Sequence, residues 1–213
     1  MKKSKVLLTL LCAVALVATS VFGTLAYLQD ADKVVNTFTV GNVDIKLDEA
    51  PVDEITGAIV AGDRVQANKY HLLPGHKYNK DPMVTVLKGS ESSYIKMTVT
   101  FSLAKELDAI FDPAGADMTS IFGGYDAANW IAKGNTEDTQ ENTRTYEFWY
   151  KETVAAPTAD VALDALFETI TVPGSINNDQ LKTIAGMTIT VNAYAIQADG
   201  FANADAAWAA YAQ

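Results

Sequence analysis

The stretch SSYIKMTVTF (Ser92–Phe101) alternates without a break, with Ile95, Met97, Val99 and Phe101 on one side and Lys96, Thr98 and Thr100 on the other. Side chains of a β-strand point to opposite faces with a period of two, so this pattern predicts a strand with one face in a core. The same period recurs along the chain. Val43, Ile45 and Leu47 alternate with Asp44, Lys46 and Asp48. Val84 and Val86 follow the turn signal NKDP, and TRTYEFWYKET (Thr143–Thr153) is aromatic-rich and strand-like. LFETITV (Leu166–Val172) ends at Pro173-Gly174. MTITVNAYAIQA (Met187–Ala198) is the longest candidate, with Met187, Ile189, Val191, Ala193 and Ala195 on one face. Pro-Gly, Lys-Gly, Gly-Gly and Asp-Gly pairs punctuate these runs as turns. Short helices are expected over Leu103–Phe111, Asn177–Gly186 and Ala202–Ala212, from spacing, capping residues and alanine content. The polar stretch KGNTEDTQENTRT (Lys133–Thr145) reads as an exposed loop or hairpin end. Many short strands with few helices in the connections predict a mainly β fold, an antiparallel jelly-roll-like β-sandwich.

The 213 residues are 49% hydrophobic and carry a formal charge of −10. Residues 1–26 have the anatomy of a secretory signal peptide: basic Lys2, Lys3 and Lys5, an apolar run from Val6 to Phe22, and small Thr24 and Ala26 at the −3 and −1 positions of a cut. Cleavage is expected between Ala26 and Tyr27, with Ala18-Thr19-Ser20 as a competing site and an uncleaved anchor as the alternative. Leu11 precedes Cys12, which does not suit a lipidation signal. Residues 27–213 then form a single β-sandwich domain. Three lysines and no acid leave with the leader, so −10 becomes −13. Such a chain repels nucleic acid. Cys12, the sole cysteine, leaves as well, so the core must hold the fold without a disulfide.

Catalytic motifs are not evident. His71 and His76 flank Pro74-Gly75 with four residues between them, whereas a zinc-protease helix needs His at i and i+4 with a Glu between. They read as turn residues, and no metal site is assigned. No G-x-S-x-G occurs. Carboxylate pairs such as Glu147 with Glu152 or Glu168 are too numerous to single one out. No cofactor is expected; calcium is the one candidate, at Asp30 and Asp32 or in QADGFANADAA, although neither has a full loop motif. Tyr146, Trp149 and Tyr150 offer stacking faces for a glycan, while strand alternation would equally put every second aromatic of this run into the core. The residues thus describe a non-enzymatic structural or binding protein.

Three blocks carry a family likeness. GTLAYLQD followed by NTFTVGNVDIKLDE supplies Gly23, Thr24, Ala26, Tyr27, Asp30, Phe38, Gly41 and Ile45. LLPGHKYNKDPMVTVLKGSESSYIKMTVTF (Leu72–Phe101) and NAYAIQADGFANADAAW (Asn192–Trp208) supply the others. Together they resemble the TasA/camelysin family of exported proteins cut by a SipW-type signal peptidase. The resemblance implies a jelly-roll-like subunit, secreted to the surface or biofilm matrix of a Gram-positive bacterium. It implies head-to-tail extracellular fibres built by donor-strand complementation, in which residues 27–41 of one copy complete the sheet of the next. On that view the partners are the chain itself, the signal peptidase during export, and other matrix or cell-surface components. In VVNTFTV, Val34, Asn36, Phe38 and Val40 would face the groove, and Val35, Thr37 and Thr39 the other way. The alternatives are pairing of this strand within its own subunit, a secreted glycan- or cell-wall-binding module, and a surface metalloprotease of the kind named for camelysin, for which this sequence offers no zinc motif.

Overall fold

In the computed structural model, residues 41–111 and 118–211 are described. Contacts divide the chain into residues 1–40 and 41–213, and every described residue lies in the second unit. Its strands are β1 (Ile45–Asp48), β2 (Lys77–Asn79), β3 (Met83–Val86), β4 (Ser93–Ser102), β5 (Phe122–Gly123), β6 (Trp130–Asp138), β7 (Thr143–Tyr150), β8 (Val161–Ala162), β9 (Thr169–Thr171) and β10 (Ile189–Gln197). The helices are α1 (Ala104–Phe111), α2 (Met118–Ile121), α3 (Asn178–Thr183) and α4 (Ala204–Tyr211). All strand pairs are antiparallel, in three sheets ordered β10-β4-β7-β6, β1-β3-β8 and β2-β9-β5. The fold is mainly β, as the alternation predicts.

β4 is the spine of the largest sheet. Ile95, Met97, Val99 and Phe101 are fully buried, and their neighbours on the same face are set by register. Val99 lies opposite Val191 of β10 and Tyr146 of β7, and Met97 opposite Ala193 and Phe148. One core joins all three sheets: Val84 and Val86 come from β3, Phe122 from β5 and Ile170 from β9. Phe101 meets Tyr146 edge to face at 5.8 Å, a geometry favoured by the ring quadrupoles.

The helices form where their caps are satisfied. Asn177 and Gln180 make a reciprocal capping box at α3. The side chain of Asn203 accepts from the Ala206 N–H at 2.9 Å to start α4. α1 is pinned from outside itself. Its Asp108 pairs with Arg144 of β7, and the Arg144 guanidinium also donates to Glu137 of β6 at 3.1 Å.

Lys133–Thr145, expected as an exposed loop or hairpin end, is a hairpin end: Lys133 to Asp138 is the second half of strand β6, residues 139–142 turn, and Thr143 to Thr145 begins β7. This half is exposed and its register shifts between Ala132 and Gly134, so it carries no alternating apolar face to betray it. The turn folds back onto α1, with the Ala104 N–H bonded to the Asn142 carbonyl at 3.0 Å.

Residues 49–71 form a loop that leaves β1 and returns beside it, through bridges Glu49–Val65 and Val52–Ile59. Within it Gly57 has φ +67° and packs on Tyr78; a Cβ there would come within 2.7 Å of the Tyr78 Cα. Gly57→Ala combines left-handed strain with a backbone clash. It should cost about 2–4 kcal/mol, measured by urea unfolding, whereas Gly89→Ala meets no neighbouring atom and should cost only the strain.

Candidate functional site

Two strands end their sheets facing a common space. β1 pairs with β3 on one side and β10 with β4 on one side; on their other sides no strand pairs with them among the described residues. Both line a groove of about 780 Å³. Ile45 and Leu47 of β1, Ile189 and Val191 of β10, and Ile170 of β9 give it an apolar surface. Its remaining wall is the loop segment Val65–Tyr70.

The other sheet ends are blunted. β8 and β5 are two residues long and β2 three. β6 is long, but its register shift and its Lys133, Glu137 and Asp138 make a poor template for another strand. β10 is nine residues long without a charged side chain, whereas β1 is four residues long and includes Lys46 and Asp48; the two edges meet at one place. An unpaired edge beside an apolar trough is the geometry that accepts an added strand: backbone groups bind it, and pockets select alternate side chains.

Where β1 ends, the groove wall becomes polar. Asp48 accepts from Arg64 at 2.5 Å and from Lys46 at 2.7 Å, and Arg64 reaches Asp81 at 2.8 Å. Beside them Lys80 pairs with Glu49 at 2.6 Å with both side chains buried, and the other Glu49 oxygen accepts from Asn68 at 3.0 Å. Tyr70 donates to the Asn79 carbonyl at 3.1 Å, and burial pushes its hydroxyl well above the usual range. Burial alone would raise the Asp48 carboxyl, but the hydrogen bonds from Lys46 and Arg64 outweigh it and hold the group below its ordinary value. A depressed carboxyl contributes stability that is full above its unfolded value and lost as pH falls through the folded one. Below about pH 4 the wild type should therefore lose more stability than Asp48→Asn, in melting temperatures taken across pH 2–7.

The residues expected to form the cut, Ala26 and Tyr27, and the donor face, Val34, Asn36, Phe38 and Val40, lie outside the described residues, as do Asp30 and Asp32. The three aromatics expected to contact glycan do not share a surface. Tyr146 is 5% exposed and belongs to the core, and Tyr150 packs edge-on against Trp130 at 5.1 Å. Trp149 points the opposite way, where Lys133 Nζ sits 3.8 Å over its ring and Trp208 lies at 6.2 Å. A single stacking platform from these three is corrected to one core residue, one half-buried residue and one ring already covered by a lysine. Strand alternation separates them: residues 146 and 150 share a face and 149 cannot. His71 and His76 are exposed, and among the described residues no three His, Cys, Asp or Glu are placed to hold a metal ion. Asp205 is engaged with Lys133 at 3.2 Å and Asn203 caps α4.

No sequence pattern signals the polar wall. Lys80 and Asp81 sit in NKDP, which reads as a turn, and Glu49 is 31 positions from Lys80. Comparison with known proteins finds no matching family model, no similar curated protein and no similar solved structure.

Proposed function

We propose that the protein is a secreted structural subunit of the cell surface or biofilm matrix. It polymerises head to tail when residues 27–40 of one copy enter the groove of the next. The observation that carries the reading is the groove lined by β1 and β10, with Ile45, Leu47, Ile189 and Val191 on its apolar side and two strand edges that no strand pairs with among the described residues. The occupant on this reading is this chain's own segment, because VVNTFTV has the alternation that a strand slot selects; a head-to-tail contact of this kind does not close and so builds a filament. On this reading the three sheets are a jelly-roll-like sandwich with one strand position left for a neighbour. The export route rests on the basic and apolar pattern of residues 1–26, cut between Ala26 and Tyr27 by a signal peptidase, and no catalysis is assigned to the domain.

N-terminal sequencing of the secreted form should return Tyr27 as the first residue. Electron microscopy of that form should show filaments, and deletion of residues 27–40 should abolish them while circular dichroism still reports a folded β protein. Filaments that persist after the deletion would refute strand donation.

A further inference from the structure

Residues 41–213 contain no cysteine. A covalent cross-link in this part of the chain therefore needs chemistry other than a disulfide. Glu49, Asn68 and Lys80 supply the groups for one. The Lys80 ammonium donates to Glu49 Oε2 at 2.6 Å, and the Asn68 side-chain amide donates to Glu49 Oε1 at 3.0 Å. An amine and a carboxamide thus sit on the two oxygens of a single carboxyl group. Lys80 and Glu49 are each 6% exposed, and the Tyr70 ring lies 5.9 Å from the ammonium. Such burial restricts water, the competing nucleophile.

Each group is fixed by further partners. Glu49 exchanges both backbone hydrogen bonds with Val65 at 2.8 Å, and the Lys80 N–H donates to the Glu168 carbonyl at 2.9 Å. The Asn68 amide nitrogen also donates to the Ala50 carbonyl at 2.8 Å, and its oxygen accepts from the Val52 N–H at 3.1 Å. The amide is held in one orientation, its nitrogen on the carboxyl and its oxygen on a backbone donor. A backbone N–H in that position stabilises the negative charge that develops on oxygen when a nucleophile adds to the carbonyl carbon.

We propose that Lys80 and Asn68 condense to an isopeptide bond, with Glu49 as the catalytic base and acid. Glu49 Oε2 takes a proton from the ammonium, which replaces two buried charges by a neutral amine and a carboxylic acid. The amine lone pair forms a bond to Asn68 Cγ, and the carbonyl electrons move to Oδ1 beside the Val52 N–H. The Glu49 acid then gives its proton to Asn68 Nδ2, the Cγ–Nδ2 bond breaks, and ammonia leaves. Glu49 takes the second proton of the amine and ends as an acid, so the step leaves no charge buried and needs no oxidant or other reagent. All three residues line the groove, which gives the ammonia an exit. The bond would tie the groove wall Val65–Tyr70 to the segment between β2 and β3. The ion pair of the structure is the state before closure, and the energetics of the Glu49–Lys80 pair belong to the unlinked chain.

The test is mass spectrometry of the denatured chain, followed by peptide mapping. Wild type kept folded at neutral pH until its mass is constant should be lighter than its sequence requires by one molecule of ammonia. It should yield a branched peptide that joins Asn68 to Lys80. Lys80→Met and Asn68→Ala should each keep their full mass. Glu49→Gln retains both reacting groups, and closure in it should slow by about a hundredfold or more, the weight of general acid–base catalysis. Fragmentation separates the cross-link from a succinimide at Asn68, which loses the same ammonia but leaves Lys80 free. The wild-type map is decisive even where a variant fails to fold. The proposal is overturned if folded wild type keeps its full mass, with Asn68 and Lys80 recovered in separate unmodified peptides, or if the lost ammonia maps to a succinimide beside a free Lys80.

Discussion

Replacing Ile189 and Val191 together by Asp should abolish assembly at concentrations where the wild type forms filaments. Both side chains line the groove on the edge strand β10. Among the described residues no strand covers the groove, so in the isolated subunit the new carboxylates are expected to stay hydrated. Docking an apolar strand over them removes that water without supplying donors. At about 1–3 kcal/mol for each polar group buried without a partner, the pair opposes docking by roughly 2–6 kcal/mol. With about 1.4 kcal/mol per tenfold, the critical concentration should rise by about 30-fold at the least. Thr190→Asp with Asn192→Asp puts the same charges on the opposite, exposed face of the same strand. That variant should assemble normally. Equal loss in both would mean that added negative charge on an already acidic chain, and not the groove, is responsible.

The largest effect on stability is expected from Glu49→Leu. The substitution leaves the Lys80 ammonium buried without its carboxylate and removes an acceptor of Asn68. Breaking one side of a buried ion pair costs about 3–5 kcal/mol, a large share of the about 5–15 kcal/mol that keeps a typical domain folded. The double change Glu49→Gln with Lys80→Met should recover most of this loss, because the uncompensated charge disappears while Gln still accepts from Asn68. Urea unfolding of the three proteins measures both. A double variant as unstable as Glu49→Leu would show that the pair acts through shape and not charge. By contrast, the exposed Lys182–Asp179 pair at 2.9 Å should contribute about 0.5 kcal/mol or less, since solvent screens it.

Alternation in the sequence determined the cores of β3, β4, β7 and β10, because a strand with one buried face must repeat its apolar residues every second position. Caps and spacing likewise located α1 and α4 to within a residue or two and α3 to within three. β6 escaped because an exposed edge strand needs no apolar face, and its partner β7 specifies it through backbone hydrogen bonds. The very short β2, β5 and β8 escaped because two or three residues cannot display a period. That Tyr146 lies in the core was not legible for a related reason. The run TYEFWY shows that aromatics alternate, but not which phase faces inward until β7 is paired with β4 and Tyr146 falls opposite Val99. The groove and its buried cation were decided by tertiary structure alone. They depend on two sheets ending side by side, and on Glu49, Arg64, Asn68 and Lys80 arriving together from separate turns and loops. Local sequence encodes which face of a strand is apolar; only the packing of distant segments decides which strand is left without a neighbour.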